Sequence, residues 1–283
     1  MDNIKSVSVI GGGTMGNGIA QVFAVGGFEV VLCDIADSAL QRAVATIEKN
    51  LERMAAREKI SGEVRTQALA RLRCSTRLAE AARAQLVVEA ASESWDVKAK
   101  LFKELDRLSP PETILATNTS SLSITKLAAV TGRPGQVIGM HFMNPAPVMQ
   151  LVEVIRALQT SEAVFETVQA LARRLGKTPV SVKNSPAFVA NRILLPMINE
   201  AICALHEGLA SAEDIDTVMK LGANHPQGPL ALADMIGLDV CLSVLQVLYE
   251  GFNDPKYRPC PLLKEMVDAG YLGRKSGRGF YQY

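Results

Sequence analysis

A histidine and a glutamate whose spacing suits proton transfer are the most informative residues of the chain. His141, one of only three histidines, lies in the segment VIGMHFMNPAPVMQLVEVI, and Glu153 follows twelve residues later. An imidazole exchanges protons near neutral pH, and a carboxylate that accepts its ring N–H fixes the tautomer and stabilises the imidazolium. The two residue types therefore suit a general acid/base pair, provided that the chain folds back between them.

The sequence on both sides of the Asn-Pro-Ala-Pro segment predicts two short β-strands. QVIGMHF and QLVEVI are rich in β-branched and apolar residues, and the prolines between them indicate a turn. If antiparallel pairing places Met143 opposite Leu151, His141 lies opposite Glu153 on the same face of the sheet. The alternative is a strand-end histidine and an exposed glutamate without a joint role, and the spacing alone does not decide between the two.

The composition fits an ordinary soluble enzyme. The chain has 283 residues, 48% of them hydrophobic, with Lys+Arg 30 against Asp+Glu 29 and a net charge of +1. This length allows one or two domains, and the near-neutral charge gives no reason to expect a nucleic-acid partner. The five cysteines are scattered and form no C-x-x-C pair, which favours reduced thiols and predicts no metal site.

Two further features bear on location. No apolar run reaches the roughly 18 residues that a membrane-spanning helix needs. The first predicted strand begins by Ser6, which leaves no room for a signal peptide before it. We therefore expect a cytoplasmic protein with no membrane partner.

The N-terminal segment carries a dinucleotide-binding pattern. A buried-strand segment, VSVIG, precedes three glycines and a helical segment, and a second strand, EVVLCD, ends at Asp34. The glycines form G-x-G-x-x-G, which lets the backbone approach a pyrophosphate at the helix N-terminus. A carboxylate at the end of the second strand binds both hydroxyls of an adenine ribose and repels a 2′-phosphate, which predicts NAD rather than NADP. The residues expected at the pyrophosphate are Gly11, Gly13, Thr14, Met15 and Gly16.

Strands and helices continue to alternate up to about residue 184. Further strands are predicted near residues 86–90, 113–118 and 178–183, in addition to the pair around His141. This alternation predicts an α/β fold with a Rossmann-type, doubly wound sheet over residues 1–184. Ligands of such sheets bind beyond the carboxyl ends of the strands. The polar residues at or just after predicted strand ends are Asp34, Glu93, Asn118, Ser120 and His141.

The run Asn118-Thr119-Ser120-Ser121 has a second interpretation. Ser, Thr and Asn side chains satisfy the free N–H groups at helix N-termini, and LSITKLAAV follows directly. The run can therefore cap a helix, supply ligand contacts, or do both with different residues.

Residues 185–283 read almost purely as helix and predict a second, all-helical domain. Ser211 is the expected N-cap of one helix, Gly208 and Gly222 are expected stops, and Pro196 should kink or interrupt the first helix. Asn191 is a polar residue in an apolar stretch and needs a partner. The third predicted helix, GPLALADMIGLDVCLSVLQVLYEGF, is apolar over more than one face, so we expect it to pack against another subunit.

Residues 49–77 form a local cationic stretch. Eight basic residues stand against three acidic ones in an otherwise nearly neutral chain. A solvated helical face is the simpler interpretation. The alternative is that Arg53, Arg57 and nearby residues contact the phosphates of a large anionic substrate.

Taken together, these motifs resemble a known family. GGGTMGNGIAQ, NTSSLSI, HFMNPAPVMQLVEVI, NSPAFVANRILLP, HPQGPLALADMIGLD and LGRKSGRGFY are similar, in order and over essentially the whole chain, to the L-3-hydroxyacyl-CoA dehydrogenases. In particular, they resemble the short bacterial members that act on 3-hydroxybutyryl-CoA. The resemblance implies a Rossmann-type domain, a helical domain that forms a homodimer, NAD as cofactor and an acyl-CoA substrate.

The resemblance also implies roles for individual residues. His141 matches the general acid/base and Glu153 the carboxylate that orients it, while Ser120 and Asn191 match residues that hydrogen-bond the reacting oxygen or the thioester. On the cofactor side, Asp34 matches the ribose contact, and Glu93, Lys98, Ser120 and Asn144 match nicotinamide-side positions, with Lys275 as a weaker contact. For CoA, Asn50 stands where relatives have a serine, Arg57 stands where they have a lysine, and Arg53 lies between them.

Two rival classes also open with a glycine fingerprint. Dehydrogenases of β-hydroxyacids or 6-phosphogluconate use a lysine base, and no lysine replaces His141 here. A non-enzymatic dinucleotide-binding protein, like the lens crystallin related to this family, would share the fold. The presence of Ser120, His141, Glu153 and Asn191 together argues against it.

Overall fold

One eight-stranded sheet forms the centre of the first part of the chain. In the computed structural model, which describes residues 4–283, this unit ends at Asn184 and a second unit covers Ser185–Tyr283. The strands are β1 Ser6–Ile10, β2 Glu29–Cys33, β3 Leu72–Ser75, β4 Leu86–Glu89, β5 Ile114–Thr117, β6 Val137–Phe142, β7 Leu151–Arg156 and β8 Thr178–Lys183. Their order is β3-β2-β1-β4-β5-β6-β7-β8, and every neighbouring pair is parallel except β6 and β7, which are antiparallel.

Seven α-helices accompany these strands within residues 4–184. They are α1 Thr14–Val25, α2 Asp37–Ala56, α3 Gly62–Arg71, α4 Leu78–Ala81, α5 Trp95–Leu108, α6 Ile124–Ala129 and α7 Glu162–Arg174. The central strands β4, β5 and β6 are buried along their whole length, as expected of parallel strands covered on both faces. Phe23, Phe28 and Phe142 pack edge to face within this core. The predicted doubly wound α/β fold is confirmed.

Strand β3 is the one element of the sheet that the sequence did not predict. It lies inside the cationic stretch, and its four residues, LRCS, lack an apolar alternation because β3 is an edge strand with two exposed side chains. The stretch therefore belongs to three elements, the end of α2, α3 and β3, rather than to a single helical face.

The regular elements of the second unit are helices, and two isolated β-bridges link Gly273, Arg278 and Gln282 in its C-terminal tail. It contains α8 Ala190–His206, α9 Ala212–Gly222, α10 Pro229–Ile236, α11 Leu238–Phe252 and α12 Pro261–Asp268. Ser211 caps α9 by accepting a hydrogen bond from Asp214 N, and α9 ends at Gly222, so the predicted cap and stop are confirmed. Gly208 follows the end of α8 with a φ of +72°, as expected of a helix stop.

One boundary prediction in this unit was wrong. The segment PAFVANRILLPMINEAICALHEG predicts a first helix from Pro186. Ala187 and Phe188 instead have φ near +55° and are buried, and the helix starts four residues later, at Ala190. Pro196 lies inside α8 without interrupting it.

The apolar segment expected to form one long helix forms two. Gly237 separates α10 from α11 with a φ of +105°, a conformation that only glycine adopts readily, and the two helices meet at 98°. Within residues 4–283, no single helix is long and apolar enough to cross a membrane, although α10 and α11 meet that length and composition when taken as a bent pair.

Two buried aspartates hold the C-terminal tail of the second unit. Asp234 accepts hydrogen bonds from Phe280 N and Tyr281 N, both at 3.0 Å. Asp216 accepts from two N–H groups of the first turn of α10 and from the Tyr281 hydroxyl at 2.9 Å. A Cβ atom at Gly279 would lie 1.9 Å from Asp234 Oδ1, which explains the glycine in the tail motif.

Candidate active site

The antiparallel pairing of β6 with β7 places His141 directly opposite Glu153. The His141 Nδ1 atom lies 2.8 Å from Glu153 Oε2, and the two residues are 6% and 2% exposed. The pairing predicted from the alternation of the two strands is therefore confirmed. A buried imidazole and a buried carboxylate share one face of the sheet and contact each other.

This contact determines which imidazole nitrogen can take up a proton from a ligand. A carboxylate has only acceptor atoms, so Nδ1 must donate the hydrogen to Glu153. In the neutral ring Nε2 then carries the lone pair and can take a proton. The resulting imidazolium has its counter-charge already in place at Glu153, which lowers the cost of forming a charge in a buried position.

The glycine turn between β1 and α1 brings segments of backbone unusually close together. Gly11 has a φ of +108°, and a Cβ atom there would lie 2.6 Å from Ala90 O. A Cβ atom at Gly16 would lie 1.7 Å from Gly11 O. At Gly13, by contrast, there is open space within 4 Å. Gly11 and Gly16 are therefore required by packing, whereas Gly13 leaves room in front of the helix.

The start of α1 suits an anionic ligand. Gly13 is the N-cap residue and provides no side-chain cap, and Thr14 and Met15 are the first helical residues. The N–H groups of a first helical turn, together with the helix dipole, favour a phosphate at this position.

Asp34 lies beside the same turn. Its Oδ2 accepts a hydrogen bond from Gly12 N at 2.7 Å and its Oδ1 accepts one from Ala36 N at 3.0 Å. The carboxylate is partly exposed and is held at the end of β2, next to the glycines. The residues present therefore fit a dinucleotide: the glycine turn suits the pyrophosphate, and the acid suits the ribose hydroxyls.

Glu93 organises the polar segment that follows β5. Its Oε1 accepts hydrogen bonds from Ser120 N at 3.0 Å, from Ser121 Oγ at 3.0 Å and from the Thr119 hydroxyl. Burial alone would raise the pKa of Glu93, but the Lys98 ammonium and these hydrogen bonds outweigh it, so the pKa lies below its usual value. Glu93 is therefore anionic at neutral pH and fixes the backbone that carries Ser120.

Lys98 is enclosed by acceptors. Its Nζ atom donates to Glu89 Oε1 at 2.6 Å and to Ala91 O at 3.1 Å, and it lies 3.4 Å from Glu93 Oε2. Only 1% of the Lys98 side chain is exposed. The contacts that the structure gives to Lys98 are thus with the segment that carries Glu93.

Asn118 links this segment to the strand of His141. Its backbone N donates to Glu89 O at 2.7 Å, and its side-chain Oδ1 accepts from Phe142 N at 2.8 Å. The helix-cap interpretation of residues 118–121 was wrong, because Ser123 is the N-cap of α6 and accepts from Lys126 N. These four residues precede the helix and make contacts at the carboxyl ends of the strands instead.

Lys177 holds the loop that follows β6. Asn144 is exposed in this loop, and its peptide bond with Pro145 is cis. Lys177 Nζ donates to Ala146 O at 2.6 Å and to Met149 O at 2.8 Å, and burial lowers the Lys177 pKa. Lys177 was not found from sequence, since a single lysine before a strand has no distinguishing pattern.

The carboxyl ends of the parallel strands form one edge of the sheet, and most of the predicted residues lie there. β1, β2, β4, β5 and β6 are neighbours and parallel, so the segments that follow their carboxyl ends lie side by side. The residues brought to this edge in the first unit are Gly11, Gly13, Gly16, Asp34, Glu93, Lys98, Ser120, His141 and Asn144.

The remaining predicted residues lie elsewhere. Asn50, Arg53 and Arg57 follow one face of α2 and its C-terminal end; Asn50 Nδ2 donates to Gln21 Oε1 at 3.3 Å, and both arginines are exposed. Asn191 lies in the first turn of α8 in the second unit. Lys275, also in the second unit, pairs with Asp239 at 2.5 Å. Among residues 4–283, no group of three or more His, Cys, Asp or Glu side chains could hold a metal ion.

Comparison with known proteins assigns the chain to a family. A family model described as 3-hydroxyacyl-CoA dehydrogenase, NAD binding domain, matches residues 6–185, and one described as 3-hydroxyacyl-CoA dehydrogenase, C-terminal domain, matches residues 188–283. The chain belongs to the 3-hydroxyacyl-CoA dehydrogenase family. The family resemblance, the two-part fold and the NAD cofactor predicted from the sequence are thereby confirmed.

Individual 3-hydroxyacyl-CoA dehydrogenases are similar over almost their whole length. A probable 3-hydroxybutyryl-CoA dehydrogenase of Bacillus subtilis is 55% identical over 280 residues, 99% of this chain and 98% of the relative. The 3-hydroxybutyryl-CoA dehydrogenase of Bradyrhizobium diazoefficiens is 54% identical, over 99% and 96%. The crystal structure of (S)-3-hydroxybutyryl-CoA dehydrogenase PaaH1 from Ralstonia eutropha matches with a TM-score of 0.96 and 57% identity, over 99% of each chain.

Proposed function

We propose that this chain interconverts (S)-3-hydroxyacyl-CoA and 3-oxoacyl-CoA with NAD, and that 3-hydroxybutyryl-CoA and acetoacetyl-CoA are its substrates. The observation that carries the proposal is the 2.8 Å contact between His141 Nδ1 and Glu153, at the sheet edge where the glycine turn also ends. The relatives named 3-hydroxybutyryl-CoA dehydrogenase support the choice of substrate.

In the proposed mechanism His141 is the general acid/base. Its Nε2 atom takes the proton of the substrate's C3 hydroxyl during oxidation, and Glu153 stabilises the imidazolium that forms. In the reverse direction the same nitrogen returns the proton to the oxygen at C3. NAD, when bound, supplies the nicotinamide that accepts the hydride from C3.

Two polar residues are proposed to orient the substrate. Ser120 lies in the segment fixed by Glu93, and its hydroxyl is a donor suited to the C3 oxygen. Asn191 provides an amide that can donate to the same oxygen or to the thioester carbonyl. Each hydrogen bond strengthens as negative charge develops on the oxygen, so both residues would favour the transition state over the bound substrate.

For the cofactor we propose contacts with both halves of the dinucleotide. The turn of Gly11, Gly13, Thr14, Met15 and Gly16 would hold the pyrophosphate, and Asp34 the adenine ribose. Glu93, Lys98 and Asn144 are proposed on the nicotinamide side because they follow the central strands at the same edge. Lys275, paired with Asp239, is proposed as a weaker contact.

The proposed role of Asp34 makes a prediction about cofactor choice. We expect Asp34→Gly to weaken NADH binding by about 2 kcal/mol, or roughly thirtyfold, because charge-assisted hydrogen bonds to the ribose hydroxyls are lost. NADPH binding should change far less, since its 2′-phosphate is repelled by the same carboxylate in the wild type. Fluorescence titration with both cofactors measures this, and an equal loss for NADH and NADPH would contradict the ribose role.

The CoA part of the substrate is proposed to meet the basic face of α2. Arg53 and Arg57 are exposed and present planar, permanently charged groups suited to phosphates, and Asn50 lies on the same face. The alternative, a solvated face without a ligand, predicts that neutral substitutions of both arginines leave the KM for acetoacetyl-CoA unchanged.

We also propose that the two units divide the work. The unit that ends at Asn184 would bind NAD, and Ser185–Tyr283 would bind substrate and form a homodimer. Support for the dimer comes from large apolar side chains exposed on the helices of the second unit, where Leu221 is 83%, Ile193 67% and Val218 65% exposed.

The proposed reaction is tested by NADH oxidation with a panel of acceptors. We expect NADH to reduce acetoacetyl-CoA but not free acetoacetate. The β-hydroxyacids and 6-phosphogluconate are hydride donors, so they are tested in the opposite direction, as reduction of NAD, and we expect no turnover with them. Activity with a CoA-free hydroxyacid or with 6-phosphogluconate would favour the rival enzymes, and NADH binding without turnover of any acceptor would favour a non-enzymatic protein. Thioesters from four to ten carbons in the same assay then define the acyl preference.

A further inference from the structure

A buried ion pair lies at the carboxyl end of the central strand β4, and one of its members has no role in the mechanism above. Glu89 is 0% exposed and Lys98 1% exposed, and Glu89 Oε1 accepts from Lys98 Nζ at 2.6 Å. Glu89 is the last residue of β4, paired in register with Ile10 of β1 and Thr117 of β5. It therefore lies at the end of the strands that carry the glycine turn and the Ser120 segment.

The Glu89 carboxylate receives donors from three separate segments. Besides Lys98 from α5, Ala91 N donates to Oε1 at 2.6 Å and the Thr117 hydroxyl donates to Oε2 at 2.6 Å. Thr117 Oγ1 in turn accepts from Thr119 N at 3.1 Å. The carboxylate thus connects the segment after β4, the segment after β5 and the first helical turns of α5.

Stability alone does not account for this pair. Two charges lose most of their hydration when they are buried, and apolar residues of similar volume are often as stabilising at such positions. What an ion pair adds is a fixed position for each charged group. Here the fixed group is the Lys98 ammonium, whose remaining contacts are Ala91 O and Glu93 Oε2.

Glu93 is the next member of the chain of contacts. Its Oε2 lies 3.4 Å from Lys98 Nζ, while its Oε1 accepts from Ser120 N and Ser121 Oγ. A lysine held by Glu89 shares its charge between two carboxylates. A lysine released from Glu89 would have Glu93 as its one carboxylate partner in this cluster, and it would draw Glu93 away from the Ser120 segment.

We propose that Glu89 is a positioning residue, which acts through Lys98 and Glu93 to hold the Ser120 segment in its reactive geometry. This inference rests on the proposed function for its consequences in turnover. Its consequences for the position of Glu93, and hence for the nicotinamide side of the cofactor site, are measurable by binding alone.

The test is Glu89→Gln, which keeps the side-chain size and an acceptor for Lys98 but removes the charge. We expect NADH affinity and kcat with acetoacetyl-CoA each to fall about tenfold, by analogy with the roughly 10- to 100-fold loss when the hydrogen-bond partner of a metal ligand is removed. Affinity for ADP-ribose, which has no nicotinamide, should stay at the wild-type value, because the glycine turn and Asp34 are untouched. Thermal unfolding of each variant reports stability separately.

Asp106→Asn is the matched control. Asp106 is also on α5 and pairs with Arg133 at 2.6 Å, in a partly buried ion pair away from the sheet edge. We expect it to lower the unfolding temperature while leaving NADH affinity, ADP-ribose affinity and kcat unchanged. A loss of stability therefore does not by itself reproduce the pattern predicted for Glu89→Gln.

A second comparison covers the case in which the single variant folds poorly. In Glu89→Gln/Lys98→Met neither charge remains, so no buried charge is left unpaired. If Glu89 acts through Lys98, this double variant binds NADH no more weakly than Lys98→Met.

Either of two results would overturn the proposal. One is a Glu89→Gln protein with lowered stability but wild-type affinity for NADH and wild-type kcat. The other is a double variant that loses affinity by the full product of the two single losses. If the wild-type protein instead lacks activity with acetoacetyl-CoA, the proposed function fails, while the comparison of NADH with ADP-ribose still decides the role of Glu89.

Discussion

Replacing His141 by glutamine should reduce kcat with acetoacetyl-CoA by about a thousandfold or more, because the amide cannot take up or return a proton at neutral pH. NADH should bind almost as tightly as in the wild type, since His141 is placed on the substrate side of the mechanism. Glutamine also keeps an N–H donor for Glu153, so the buried carboxylate retains a partner. Steady-state rates and NADH fluorescence titration on the same protein samples measure both quantities.

Another histidine, His206, provides the control. His206 is the last residue of α8 in the second unit and is exposed. His206→Gln should keep the wild-type kcat and NADH affinity. Wild-type-like turnover in His141→Gln would end the proposal that His141 is the acid/base.

Glu153→Gln is expected to have the second-largest effect. The neutral amide cannot offset the charge of the imidazolium, and it can turn its NH₂ group toward Nδ1 and so favour the wrong tautomer. The corresponding loss in a serine protease, where an aspartate orients the histidine, is about ten-thousandfold; we expect roughly a hundredfold to a thousandfold here. The melting temperature and NADH affinity should stay close to wild type, because the side-chain volume is preserved and only the charge is removed.

A surface glutamate on the neighbouring helix shows whether charge removal in this region matters in general. Glu162 begins α7 and pairs with Arg156 at 2.7 Å at the end of β7, with its side chain 61% exposed. Glu162→Gln should leave kcat unchanged, because exposed ion pairs contribute little and this one does not reach His141. An unchanged kcat in Glu153→Gln would show that Glu153 does not orient His141.

The parts of the fold that follow from local pattern were predictable from the sequence. Period-two alternation in β6 and β7 fixes which side chains share a face, so the pairing of His141 with Glu153 follows from the sequence once Met143 is assumed to lie opposite Leu151. The glycine turn was predictable from the G-x-G-x-x-G motif between a strand and a helix. The structure explains the motif, since Gly11 and Gly16 stand where a Cβ atom would collide with backbone.

The predictions from sequence were wrong where a single residue or a contact with a distant segment determines the local structure. The bend at Gly237 interrupts an apolar run that has every other property of one helix, and a lone glycine is tolerated within helices often enough to give no signal. Strand β3 was missed because an edge strand does not need an apolar face.

The buried hydrogen bonds of Glu89 with Lys98 and Thr117 could not have been predicted from the sequence. Glu89 ends the apolar run LVVEA, where a terminal acid suggests exposure to solvent. Its burial depends on Lys98 reaching back from α5 and on Thr117 arriving from the neighbouring strand. Asn118, likewise, suggested a helix cap, and its contact with Phe142 N exists only because β5 and β6 are neighbours.

The most direct test of the His141 and Glu153 dyad is the kcat of the double variant His141→Gln/Glu153→Gln, measured beside the two single variants with NADH and acetoacetyl-CoA. If Glu153 works only by orienting His141 and stabilising its charge, the carboxylate has nothing to act on once the imidazole is gone. The double variant should then be as slow as His141→Gln and no slower. A double variant slower by the full product of the two single losses would show that the residues act independently, and would contradict the dyad.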